Sequence, residues 1–195
     1  MHFNEMEFAA LDFESSGFGA DGKDEPIQIG IAIMRGGDLI PSEGLRSYIA
    51  PNSPRPISDA AYAVHRIGDE QLADAPSMLE LWPEIKQRLG GRPVVAHGAG
   101  TEKRFMRAFP MHGFGPWLDT LPFARRAVPK VKKHALGTLL EHFDLVSELQ
   151  QRCPDLDWHD ALFDAAASLL LMKALVQYTG VESAPLLAFG IDRGT

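Results

Sequence analysis

Asp12-Phe13-Glu14 is the first place in this 195-residue sequence where residue type and spacing together suggest chemistry. The stretch from Glu7 to Glu14 reads EFAALDFE, an apolar run that ends by alternating, which predicts a strand buried along its inner part. Side chains two apart project from one face of a strand, so both carboxylates point the same way. Charges at the end of an apolar strand are costly unless they share a cation or face a cleft. A plain strand end with scattered acids would carry the same pair, so other acids must join it to make a site.

Two further acids are candidates. Asp164 interrupts a segment that is apolar from Ala161 to Val176 except for Ser168 and Lys173, and a helix apolar almost all round is a buried one. A lone carboxylate there needs a partner, and few basic residues lie nearby in sequence to make a core salt bridge. His159, five residues earlier, stands where an imidazole can overhang the same opening, although a single histidine in that place is commonly a surface residue. Glu102 lies in Gly98-Ala99-Gly100-Thr101-Glu102, a turn and helix start after a compact strand. An acid in a first helical turn is favoured by the helix dipole alone, so only its combination with the others points to catalysis.

The elements that must position these groups follow from the hydrophobic pattern. Strands are expected at Glu7–Glu14, Ile27–Met34 and Leu39–Ala50, the last interrupted by Gly44, with a Gly36-Gly37 turn between the second and third. These three form an antiparallel meander. Helices are expected from Asp59 to His65 behind Ser58, and from Ser77 to about Leu89. A short strand at Pro93–His97, a helix at Thr101–Phe109 and a last strand at Trp117–Asp119 come next. Helices then cover about Asp119–Ala127, Ala135–Phe143 and Asp160–Tyr178. The order predicts an α/β fold, a mixed five-stranded sheet with three antiparallel strands and then parallel ones, and helices on both faces. Residues 1–195 are expected to be one domain with a core of about 7–178 and a C-terminal tail at 179–195. Only about 17 residues follow Tyr178, which leaves no room among these residues for a polymerase or helicase domain.

Composition excludes several classes. A net charge of −7 argues against coating nucleic acid by bulk attraction, without excluding action on one phosphate. The single cysteine, Cys153, allows neither an internal disulfide nor a cysteine cage for zinc, so any metal must sit on oxygen or imidazole. No apolar run is expected to reach the ~18 residues of a membrane span, and Met1-His2-Phe3-Asn4-Glu5 lacks the features of a signal peptide. A cytoplasmic protein with no membrane partner is the expectation. Gly17-Phe18-Gly19-Ala20-Asp21-Gly22 matches a dinucleotide-binding fingerprint, but Lys23-Asp24-Glu25-Pro26 leads into a strand where that fingerprint needs a helix. These glycines therefore form a loop. Arg125, Arg126, Lys130, Lys132, Lys133 and His134 make a basic stretch free of acids, which by itself reads as a solvated surface.

Taken together, the chain resembles the DEDDh 3′-to-5′ exonucleases of the ribonuclease-H-like superfamily, the family of the proofreading subunit of bacterial replicative polymerase. The resemblance runs from about Phe8 to Leu175. Asp12-Phe13-Glu14-Ser15-Ser16-Gly17 matches the family's Asp-x-Glu-Thr-Thr-Gly, and Ile27-Gln28-Ile29-Gly30 its Ile-x-Gln-Ile-Gly strand. His159-Asp160-Ala161-Leu162-Phe163-Asp164 matches its histidine and aspartate five apart, and Val64-His65-Arg66-Ile67, Ala75-Pro76 and Asp119-Thr120-Leu121 fall in familiar order. The family's Val-Ala-His-Asn-Ala-x-Phe-Asp is altered here to Val95-Ala96-His97-Gly98-Ala99-Gly100-Thr101-Glu102. Glutamate keeps the charge and carries it ~1.5 Å further from the backbone.

The resemblance implies a metal-dependent hydrolase that releases nucleoside 5′-monophosphates from the 3′ end of single-stranded DNA or RNA. Converging carboxylates repel by about 4 kcal/mol per close pair at an effective dielectric near 20, so cations must neutralise them. All-oxygen ligands favour Mg²⁺ or Mn²⁺, and two such ions fit phosphodiester hydrolysis. By resemblance Asp12, Glu14 and Asp164 hold the metals, with Asp12 bridging, and Glu102 acts directly or through water. An imidazole such as His159 can take the proton of the attacking water. Ser15, Ser16 and Gly17 would meet the terminal nucleotide through backbone groups, and His65 would flank its base. DNA repair, proofreading and RNA turnover are the implied settings, with a polymerase or a second copy of the chain as partner. Two rivals use the same residues: a nucleic-acid-binding or scaffold module that has lost catalysis, and a phosphohydrolase of small nucleotides.

Overall fold

The apolar run near the N-terminus forms the middle strand of a mixed sheet in the computed structural model, which describes residues 3–18, 23–52 and 56–183. Six strands make the sheet: β1 (Glu7–Ser15), β2 (Pro26–Arg35), β3 (Asp38–Leu39), β4 (Leu45–Tyr48), β5 (Val94–Ala96) and β6 (Trp117–Asp119). The helices among the described residues are α1 (Asp59–His65), α2 (Asp69–Leu72), α3 (Met78–Leu89), α4 (Gly100–Met106), α5 (Thr120–Ala127), α6 (Leu136–His142), α7 (Val146–Arg152) and α8 (Ala161–Thr179). The strand order is β3-β2-β1-β5-β6, with β4 also pairing β2. β1 and β2 run antiparallel, while β5 lies parallel to β1 and β6 parallel to β5. The expected fold class is therefore observed. The glycine-rich segment enters β2 at Pro26 with no described helix before it, and its residues 19–22 lie outside the described residues, as do residues 184–195 of the expected tail.

The expected third strand is broken in two, which raises the strand number from five to six. Asp38 and Leu39 pair with Arg35 and Met34, the chain then leaves β2 through a 3-10 turn at Pro41–Glu43, and pairing resumes at Leu45 opposite Ile31. Proline has no N–H to give a ladder, so pairing lapses at Pro41. Two short helices, α2 and α7, were not expected; α7 buries only Leu149, too little to imprint a periodic pattern.

Alternation along β1 decides which groups face which layer. Phe8 and Ala10 join the cluster built on α5, α6, α7 and α8, while Ala9, Leu11 and Phe13 join the cluster built on α3 and α4. Asp12 and Glu14 share the parity of Phe8 and Ala10, so they continue the α8 face of the sheet to its end. α8 is the centre of that layer. Its 19 residues at a mean hydropathy of 1.3 are long and apolar enough to cross a membrane, contrary to the expectation that no segment would be. Of that stretch 67% is buried in this fold, where Phe163, Leu169, Leu170 and Leu171 lie in the apolar cluster that the helix shares with the sheet and with α5, α6 and α7, so it serves as the core helix.

Backbone contact sets where α8 meets the sheet. A Cβ placed on Gly30 would lie 2.0 Å from the Ala161 carbonyl carbon and 2.1 Å from the Leu162 nitrogen, so only glycine lets the helix start rest on β2. Gly30→Ala is expected to lower stability by about 3 kcal/mol or more, because neither neighbour is a side chain that can swing away. Urea denaturation checks this: a midpoint equal to wild type would show that the contact yields easily.

Candidate active site

Three elements deliver acids to one place. β1 brings Asp12 and Glu14, the first turn of α4 brings Glu102, and the first turn of α8 brings Asp164. Single ligand atoms of Glu14, His159 and Asp164 all lie within 4.8 Å of one another. The charges of Glu102, Asp164 and Glu14 all act on Asp12. The place is the C-terminal end of the parallel strands β1, β5 and β6, where open α/β sheets commonly bind ligands. All five sequence candidates thus meet there.

Each delivery has a local cause. Asp160 caps α8, its Oδ1 accepting from the Leu162 N–H at 3.1 Å. Its Oδ2 accepts from Gln28 Nε2 at 3.0 Å and Arg46 Nε at 2.6 Å, and Gln28 Oε1 accepts from the Ala161 N–H at 2.9 Å. Gln28 is fully buried, so this bridge ties β2 and β4 to the helix start between His159 and Asp164. His159 adopts φ 66°, a left-handed conformation that turns the chain immediately before the cap. Gln28, Arg46 and Asp160 carried no assignment from sequence; the signal was the match at Ile27-Gln28-Ile29-Gly30.

Glu102 is held through a backbone turn. Asp119, at the end of β6, caps α5 and accepts from the N–H groups of Leu121 at 2.9 Å, Gly98 at 2.8 Å and Ala99 at 2.9 Å. Gly98 sits at φ 81°, which glycine adopts and asparagine adopts less readily. The turn drops Glu102 into the interior, where it is 5% exposed. His97 braces the same turn. A carbonyl only accepts, so His97 Nε2–H donates to the His134 carbonyl at 2.8 Å, and His97 Nδ1 lies 2.8 Å from the Thr120 hydroxyl, which also reaches the Ala96 carbonyl at 3.2 Å. Burial lowers the His97 pKa and keeps it neutral.

The expected nucleotide-contacting residues divide. Ser16 is 1% exposed; its N–H donates to the Glu25 carbonyl and its carbonyl accepts from the Ser58 N–H, both at 2.9 Å. Its hydroxyl accepts from the Glu25 N–H at 3.1 Å. The backbone and hydroxyl of Ser16 are thus engaged within the turn at the end of β1. Gly17, at φ 73°, lies where a Cβ would be 2.2 Å from Ser58 Oγ, so it lets α1 approach β1. The Ser15 carbonyl accepts from His65 Nε2–H at 3.1 Å, because the Ile67 N–H occupies His65 Nδ1 at 3.0 Å. Burial lowers the His65 pKa, and the charge of His159 reaches it. His65 therefore stands beside the site with its ring orientation locked.

The electrostatics show what the acids lack. Burial raises Asp12 well above the usual carboxylate range, helped by Glu102, Asp164 and Glu14. Burial together with Asp164, Asp160 and Glu102 pushes Glu14 up to about 8. Burial also lifts Glu102 to about 7 against a hydrogen bond from its own amide, and Asp164 to about 7 against one from the His159 backbone. One oxygen each of Glu102 and Asp164 is buried without any hydrogen-bond partner. Unpaired buried carboxylate oxygens beside further acids fit divalent cations held by oxygen donors. Asp12, Glu14, Glu102 and Asp164 could hold them, with His159 at the rim.

The fold and this carboxylate centre define a nuclease of ribonuclease-H-like architecture. A family model described as Exonuclease, of the RNase T type, matches residues 9–172. The chain is 29% identical over 177 residues to a DNA polymerase III PolC-type of Bacillus cereus and 30% identical over 173 residues to that of Streptococcus agalactiae. Those matches cover 88% and 86% of this chain and 11% of each relative, so the chain spans about a tenth of their length. A solved structure of Exonuclease X in complex with 5′ overhanging duplex DNA is 25% identical, with a TM-score of 0.72 over 89% of this chain and 93% of that one. The nuclease domain of 3′hExo, a DEDDh family member, bound to rAMP, shares the fold at 15% identity and a TM-score of 0.72 over 97% of both chains. The chain belongs to this exonuclease family.

Raised carboxyl pKa values give a signed stability prediction. Protons bind the folded acids more tightly than the unfolded ones, so their stabilisation is complete below about pH 4 and is lost as pH rises through the folded values, up to about 8. Neutral His65 and His97 act oppositely only below about pH 6.5. Melting temperature without metal should therefore fall between pH 6.5 and 8.5, and added Mg²⁺ or Mn²⁺ should restore it. Asp164→Asn should flatten the fall and melt higher than wild type at pH 8.5; a markedly lower value would make Asp164 a structural partner.

Proposed function

We propose that this domain removes nucleoside 5′-monophosphates one at a time from the free 3′ end of single-stranded DNA or RNA, using two divalent cations, Mg²⁺ or Mn²⁺. The observation that carries this reading is the meeting of Asp12, Glu14, Glu102 and Asp164, with buried oxygens left unpaired and His159 at the mouth. Solved neighbours with DNA and with rAMP support a polynucleotide substrate and a nucleotide product. The PolC-type relatives support a polymerase partner, with a second copy of the chain as the other option. A single half-buried free cysteine suits the reducing cytoplasm.

Each residue then has a task. The four carboxylates hold the cations, which when bound neutralise the site and polarise the scissile phosphate. His159 accepts the proton of the attacking water as its oxygen bonds to phosphorus. The bond from phosphorus to the 3′ oxygen breaks, and that oxygen takes up a proton as it leaves. His65 orients the end of β1 and flanks the terminal base, while exposed Phe18, Tyr62 and Val64 offer apolar surface to neighbouring bases. Ser15 and Gly17 shape the wall on which the terminal nucleotide rests.

End-labelled linear oligonucleotides in Mg²⁺ or Mn²⁺ should shorten from the 3′ end, with little cleavage when that end is blocked and none in excess chelator. Closed circles degraded as fast as linear strands would defeat the proposal. His159→Ala should reduce kcat by about 10²–10⁴-fold while leaving metal binding close to wild type.

Glu102 separates catalysis from mere fold retention. Because it is buried and its charge acts on Asp12, Glu102→Gln should weaken metal binding and depress kcat strongly. Glu102→Asp should also impair turnover, since the turn is set for a carboxylate ~1.5 Å further out. A Gln variant with normal kcat and metal dependence would instead favour the binding-module reading.

A further inference from the structure

We propose that the lobe from Arg125 to His134 grips the phosphate backbone of the strand whose 3′ end occupies the carboxylate site. This inference rests on the exonuclease reading and adds the residues that hold the rest of the substrate.

Both ends of the lobe are pinned to the catalytic turn. α5 begins directly after Asp119, whose carboxylate cages Gly98 and Ala99, and the chain returns at His134, whose carbonyl accepts from His97. His134 Nε2 also lies 3.2 Å from the Val128 carbonyl, which closes residues 128–134 into a short loop. The lobe therefore cannot drift independently of Glu102, which lies five residues beyond His97. The charge of Arg125 reaches His97.

The charges of the lobe meet no carboxylate among the described residues, although the Arg126 guanidinium lies over the Phe123 ring at 6.0 Å. Arg125, Arg126, Lys130, Lys132 and Lys133 are all exposed, and among the described residues none forms an ion pair. Elsewhere Arg35, Arg46, Arg88, Arg92, Arg104 and Arg152 each meet a carboxylate. Glu141 lines the same depression as Lys130, and among the described residues the two form no ion pair. In a molecule of net charge −7, a cluster of unpaired cations fixed beside an acidic centre has one natural polyanion to offset. Phosphate contacts of this kind position a strand without reading its sequence, which is what removal of successive nucleotides requires.

The test compares wild type with the triple variant Arg125→Gln, Lys132→Gln, Lys133→Gln on a linear strand of about 20 nucleotides and on a dinucleotide with a free 3′ end. A strand long enough to cross the lobe should lose at least tenfold in kcat/KM, mainly through KM, while the dinucleotide stays within twofold. The dependence of log KM on log salt for the long strand should become shallower by about 2, from ~0.7 per lost phosphate contact. Unchanged cleavage of the long strand would overturn the proposal and leave the lobe a plain solvated surface. A parallel loss on both substrates would overturn it too, by assigning these residues to support of the His97 turn. Wild-type protein that cleaves neither substrate would overturn the exonuclease reading itself, and this inference with it.

Discussion

Mutual repulsion among carboxylates withdrawn from water is the constraint around which this domain is built. Asp12, Glu14, Glu102 and Asp164 each have a raised pKa, and burial is the leading cause in every case. A basic side chain in their midst would relieve the strain but would also remove the demand for cations. The nearby arginines are engaged elsewhere: Arg46 holds Asp160, and Arg104 pairs with Asp24 at 2.7 Å. Among the described residues the cluster is thus left without a basic partner, to be neutralised by protons at low pH or by bound cations.

Holding like charges together requires force from groups that do not cancel them. Here it comes from backbone contacts and caps. Gly30 lets the start of α8 rest on β2, Gln28 and Arg46 lock the Asp160 cap, and Asp119 gathers three backbone N–H groups around the turn that carries Glu102. These devices lie one residue layer behind the acids, on elements fixed by two apolar clusters on the faces of the sheet. Stability invested in the scaffold is in this way converted into a small set of strained, unsatisfied oxygens.

The altered second motif shows how much local change this scaffold absorbs. Where the family motif that this segment resembles has an asparagine and a phenylalanine, this chain has Gly98 and Thr101, and its acid is longer by one methylene. A glycine at φ 81° and an open position at Gly100 give the turn room to place the longer side chain inward. Charge is retained while its path from the backbone changes, and the fold still superposes on its neighbours at a TM-score of 0.72.

Much was legible without coordinates because it depends on short-range pattern. The parity of Asp12 and Glu14 on one strand, the helix caps at Ser58 and Ser77, and the apolar run that buries α8 all follow from side-chain direction and local hydrogen bonding. Other features depend on residues that meet only after folding. The break of the third strand at Pro41, the burial of Ser16, the bridge from Gln28 to Asp160 across 132 positions, and the inward aim of Glu102 were decided by tertiary contact. The physical reason is that a side chain's neighbours across a sheet or at a helix end set its burial and its pKa, whereas its neighbours in sequence set only the direction in which it leaves the backbone.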